Sequence, residues 1–141
     1  MIVEPFGELH YHQKDKEWFG CVDNICPDSK VELSICVDNE RQDLSLKIDL
    51  VKGLARDYDA VKEKLHELTY IKYKNTEWEK SLDEIKRMYF LAGVSLKEDN
   101  RTWWLVLEPV FDVTSIYNHF LRFTMVERKI VWANFDIHTA T

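Results

Sequence analysis

The sequence predicts an α+β domain: an N-terminal antiparallel meander, two to three central helices, then C-terminal antiparallel strands. Three observations carry this expectation. Val31, Leu33, Ile35 and Val37 alternate with polar or small residues, the pattern of a strand with one buried face. Leu54, Tyr58, Val61, Leu65 and Leu68 recur at steps of four and three, the stripe of an amphipathic helix. From Val94 onward, β-branched and aromatic residues dominate four short runs. Strands, then helices, then strands point to segregated elements with largely antiparallel pairing.

Glu8 to His12 alternates, with Leu9 and Tyr11 on one face and Glu8, His10 and His12 on the other. Gln13 to Lys16 is turn-like, Trp18 to Val22 resumes a strand, and a turn at 27–30 leads into the strand at Val31. Residues 42–53 fit two periods. Leu44, Leu46, Ile48 and Leu50 alternate as a strand would, whereas Leu44, Ile48, Val51 and Ala55 share a helical face that Asp38 or Asn39 would cap. A helix is expected from about Asp57 to Tyr70, with another before it ending near Gly53. Ser81-Leu82-Asp83-Glu84 has the form of a capping box and opens a short helix to about Phe90, with Leu82, Ile85 and Tyr89 inward. Strands follow at Val94–Lys97, Thr102–Leu107, Ile116–Val126 and Ile130–Phe135, with a longer connection from Pro109 to Ser115.

At 141 residues with four glycines, three prolines and five tryptophans, the chain reads as one domain spanning 1–141. No apolar run approaches the roughly 20 residues that span a bilayer, so no membrane association is expected. The start lacks the pattern of a secretory signal, and Cys21, Cys26 and Cys36 make an odd count that suits reduced thiols, so a cytoplasmic setting is expected.

The net charge is −6, and its distribution is uneven. Residues 1–70 hold 9 basic against 15 acidic side chains, while residues 71–141 hold 10 of each. Nucleic-acid binding needs a basic surface, so this balance argues against it. An acidic half suits a basic protein partner instead. Asp59, Glu63 and Glu67 form a stripe on the long helix, and with Asp15 and Glu17 they are the expected partner-binding residues.

No glycines cluster, so phosphate-cradling loops are absent, and no cofactor is expected. His10 and His12 share a strand face, but Cys21 and Cys26 are spaced more widely than a metal knuckle, so no metal site is expected. His119 falls with Leu121, Phe123 and Met125 on one strand face. Such a histidine is most often a hydrogen-bonded core residue, and its functional alternative is a proton-transfer group oriented by Asp112 or Glu108. Trp103-Trp104 places one indole on each face of a strand: one is expected in the core and the other either under a helix or as an exposed hot spot, with burial the better expectation for both.

Several short motifs occur in order: Phe6-Gly7-Glu8-Leu9-x-Tyr11, then Lys74-Asn75-x-x-Trp78, then Asn118-His119 leading a late strand. Together they resemble a bacterial family known as domain of unknown function 2262, with Asn118 where that family has glycine. The resemblance implies the α+β layout and a helix over 42–53, and it brings no activity.

Small size, acidic asymmetry and the lack of catalytic motifs lead to one functional expectation. The chain reads as a non-enzymatic immunity protein that binds and neutralises a cognate protein toxin, such as a basic nuclease. The alternative is a small enzyme or ligand-binding domain using His119.

Overall fold

The computed structural model describes residues 1–27, 29–110 and 119–137. The α+β expectation holds in its three parts, and the N- and C-terminal strands join into one sheet. That sheet has seven strands in sequence order: β3 (His10–His12), β4 (Glu17–Val22), β5 (Val31–Cys36), β6 (Tyr89–Leu96), β7 (Thr102–Pro109), β8 (His119–Val126) and β9 (Lys129–Ile137). All neighbours pair antiparallel except β5 and β6, which run parallel because the helical segment carries the chain back between them. A two-stranded ribbon, β1 (Ile2–Val3) and β2 (Gly7–Glu8), precedes β3.

The helices cover one face of the sheet. Across it run Trp18, Ile35, Leu96, Trp103 and Met125 in one register row, and Leu33, Val94, Leu105 and Phe123 in the next. All but the half-buried Trp18 are at most 2 % exposed. Val51, Leu54, Val61, Leu65 and Ile85 complete this core from the helices. The ribbon closes over one end. At Gly20, an added Cβ would lie 2.3 Å from the carbonyl oxygen of Glu8, so β2 passes too close to β4 for any side chain there.

The ambiguous stretch is a helix, α1 (Ser45–Arg56), as the family resemblance implies. Lys47, Val51 and Leu54 are buried while Leu46 is largely exposed, which fits the helical period and not the alternating one. The local cap differs from expectation. Asp43 accepts hydrogen bonds from the backbone and hydroxyl of Ser45, whereas Asn39 turns to Arg41 and the Asp38 amide donates to Gln42. Lys47 is 1 % exposed, and its ammonium donates to the carbonyls of Lys97 and Glu98 and to Asn100, pinning α1 to the β6–β7 turn.

Helix α2 (Tyr58–Tyr73) follows at once and runs three residues past the expected end. Helix α3 (Leu82–Met88) carries both halves of the capping box. It stops two residues early because Tyr89 and Phe90 pair with Pro109 and Glu108, so sheet pairing overrides the helical pattern. Leu82 is only half-buried, while Ile85 and Tyr89 face inward as expected. Ser81→Ala removes the hydroxyl that accepts from the Glu84 amide. It is expected to lower stability by about 1 kcal/mol in urea denaturation, with Ser81→Asp restoring most of it.

Leu9 splits the first expected strand. It is fully buried and exchanges backbone hydrogen bonds with Met1, so pairing to β4 begins only at His10. The expected strand at 116–118, the connection to Ser115 and Asp112 lie outside the described residues.

Candidate functional site

The sequence-predicted residues fall in three separate places. Asp59, Glu63 and Glu67 are exposed on α2, facing away from the sheet. Their surroundings dilute their charge, since Arg56 lines the same shallow hollow as Asp59 and Lys62 lies over the Tyr58 ring. Asp15 and Glu17 stand at the β3–β4 hairpin. With His12 they bring three ligand-type atoms within 4.8 Å of one another, and Glu17 accepts a hydrogen bond from Ser34. His10 and His12 do not join the cysteines. Cys21 is exposed on β4, while Cys26 is buried and donates to the Tyr58 hydroxyl.

His119 is 4 % exposed at the start of β8. Its Nδ1 lies 2.9 Å from the Tyr73 hydroxyl, which is also bonded to the hydroxyl of Tyr89. The Trp78 ring meets the imidazole edge-on at 5.0 Å, so two motif residues from separate parts of the chain touch. Burial pushes the His119 pKa down, against a smaller opposing pull from Glu77. Among the described residues, the hydrogen-bond partner of this histidine is thus a phenol and its ring neighbours include an indole. Glu108, one of its two expected carboxylate partners, points to the other face of the sheet, because it alternates with Leu107 and Pro109, which are buried against the core.

Among the described residues, no helix lies over that other face. Its central register row runs His10, Phe19, Ser34, Ser95, Trp104, Thr124, Trp132. Trp104 is 38 % exposed and Trp132 49 %, with Phe90 and Phe120 similar, which corrects the expectation that both residues of Trp103-Trp104 are core. Trp103 alone is buried, at 2 %. Charges hold the exposed indole in place. The Lys97 ammonium sits 3.3 Å from the centroid of Trp104, and the Arg122 guanidinium lies 4.6 Å from it and 5.6 Å from Trp132.

Between Phe19 and Trp104 the face dips into a groove of about 140 Å³, floored by Ser34, Gly93 and Ser95. Glu32 lines it, and Glu108 stands nearby on β7. Burial and the charge of Glu32 raise the Glu108 carboxyl above the ordinary carboxylate range. Neither carboxylate takes part in an ion pair among the described residues. Large aromatics beside an arginine on an uncovered face match the composition of protein-interface hot spots. A signal for this face lay in the sequence: adjacent tryptophans in one strand cannot share a face.

No family model, curated protein or solved structure matches the chain. The likeness to domain of unknown function 2262 therefore rests on its short motifs. Among the described residues, no helix is long and apolar enough to cross a membrane.

Proposed function

We propose that this chain is a protein-binding module of the immunity type, which neutralises a basic protein toxin by docking it on the uncovered face of the sheet. The observation that carries the reading is the run of Phe90, Trp104, Phe120 and Trp132, each more than a third exposed on one face. Exposed aromatic area of this extent is costly to leave in water and is typical of surfaces that another protein covers. Asp15 and Glu17 stand at the hairpin beside this face and Glu32 and Glu108 lie on it, and these carboxylates, set against Lys97 and Arg122 at Trp104, are the groups that would meet a basic partner. The α2 stripe lies across the two-layer domain from the sheet face, so one compact partner meets only one of the two surfaces. The stripe lacks large exposed aromatics, which favours the sheet.

Affinity capture with the tagged chain in its native cells tests this. The captured partner is expected to be a basic protein whose expression alone arrests growth. Co-expression of the wild-type chain should restore growth, and the Trp104→Ala variant should not. A partner without toxicity, or full rescue by the variant, would count against the proposal.

A further inference from the structure

We infer that the β3–β4 hairpin binds a divalent transition-metal ion of the zinc class, ligated by His12, Asp15 and Glu17. The site stands independently of the docking reading above and uses none of the three cysteines.

The register of the hairpin brings the ligands together. His12 and Glu17 are direct cross-strand partners, so their side chains leave the same face of the sheet. Asp15 belongs to the turn that joins them, and Lys16, in the left-handed region at φ 51°, closes that turn. One ligand-type atom from each of the three residues lies within 4.8 Å of the other two. Among the described residues, no hydrogen bond or ion pair joins any two of them. The space between them is therefore of ionic size. Three atoms so spaced share a centre within about 2.8 Å of each, and side-chain rotations of roughly 0.7 Å bring this to the ~2.1 Å of zinc bonds to imidazole and carboxylate.

Groups outside the three hold them in place. The Ser34 hydroxyl donates to the Glu17 carboxylate, which orients it and leaves its remaining lone pairs for a metal. The His12 ring lies against Phe19, with centroids 5.5 Å apart. The Val37 amide donates to the Lys16 carbonyl at 2.9 Å, tying the turn to the end of β5. His10 is turned to Glu8 instead, at 3.7 Å. Lys14 and Lys16 flank Asp15 in sequence, yet neither forms an ion pair with Asp15 or Glu17. The donor set selects the metal. Carboxylates alone suit calcium or magnesium, whereas an imidazole nitrogen beside them favours zinc and its neighbours. Three protein ligands leave coordination positions open to water, so the affinity is expected to be micromolar, weaker than that of a four-ligand structural site.

The test titrates the full chain, stripped of metal, with Zn²⁺ by calorimetry and, isotope-labelled, with Mn²⁺ by NMR. One saturable Zn²⁺ site per chain is expected, with Mn²⁺ broadening centred on the amides of the hairpin. His12→Ala and Asp15→Asn should each weaken Zn²⁺ binding at least about tenfold, and Ser34→Ala, which frees the Glu17 carboxylate, by about tenfold. His10→Ala and Cys21→Ser remove the neighbouring imidazole and the exposed thiol and should leave binding unchanged, and all five variants should keep the circular dichroism of the wild type. The absence of saturable Zn²⁺ binding overturns the inference, as does binding that survives His12→Ala or is lost in Cys21→Ser. Displacement of Zn²⁺ by an equal concentration of Ca²⁺ also overturns it, since the imidazole would then play no part. None of these readouts involves the protein partner, so failure here leaves the docking reading untouched.

Discussion

Trp103→Ala is expected to destabilise the domain by about 3–5 kcal/mol, while Trp104→Ala, one residue later, costs less than about 1 kcal/mol. The first side chain fills the core between β7 and the helices at 2 % exposure, flanked in its row by Leu96 and Met125. Its removal loses transfer energy and leaves a cavity that a seven-stranded sheet cannot readily collapse around. The second loses an indole that already meets water and two surface cation contacts. Urea denaturation followed by circular dichroism measures both changes. The same pair should reverse in binding: Trp104→Ala is expected to weaken the partner complex by about 2 kcal/mol or more, roughly thirtyfold, as truncation of a central aromatic does. Equal stability losses at the two sites would mean that Trp104 is a core residue and the face is not free.

Acid should weaken the fold well before its exposed carboxylates are protonated. His66 on α2 is 1 % exposed, and its Nε2 lies 3.0 Å from the carbonyl of Tyr89. A carbonyl only accepts, so Nε2 carries the proton, and Nδ1 is left buried without a hydrogen-bond partner among the described residues. Protonation would place a charge at that buried atom, with Lys62 and Lys86 adding repulsion. Burial pushes its pKa down most, the Tyr89 carbonyl pulls the other way, and the two lysines add a smaller downward push. Burial pushes His119 the same way. With folded values below the unfolded value of about 6.5, the unfolded chain binds more protons in the interval between them. Stability then falls as pH drops through about 6.5, by up to about 1.4 kcal/mol per pH unit for each histidine, until the folded pKa is reached. Denaturation midpoints measured from pH 7.5 down to pH 5 should show this slope, and His66→Gln should reduce it. A flat profile across that interval would contradict the burial assigned to both rings.

What was legible in the sequence was mostly local. The capping box at Ser81 and Glu84 is written in four consecutive residues, and both of its hydrogen bonds form. The strand at Val31 and the stripe on α2 are amphipathic patterns whose inner residues are the ones buried. The stretch at 42–53 was not decided by period alone, because leucines at every second position mimic a strand until a tertiary core selects Val51 and Leu54 and leaves Leu46 outside. The parallel pairing of β5 with β6 spans the whole helical segment, and no local pattern encodes it.

The candidate site shows the same division. His119 lies buried on an apolar strand face as alternation predicts, whereas its partner Tyr73, 46 residues away, is written in no local pattern. The acidic stripe on α2 was readable from spacing. The groove was not, since it is assembled from β4, β5, β6, β7 and β8, and its floor consists of residues too small to draw notice: Ser34, Gly93 and Ser95. Trp104 in its wall departs from the preferred expectation of burial, because the general tendency of tryptophan to be buried is reversed on an uncovered sheet face.

The most direct test of the account compares the affinity of the captured partner for three forms of the chain by calorimetry: wild type, Trp104→Ala, and the triple variant Asp59→Asn, Glu63→Gln, Glu67→Gln. The account predicts a loss of roughly thirtyfold or more for Trp104→Ala and a change of less than about threefold for the triple variant, whose charges lie on the far side of the domain. The opposite order, with the α2 variant crippled and Trp104→Ala binding as wild type does, would contradict docking on the sheet and move the interface to the helices.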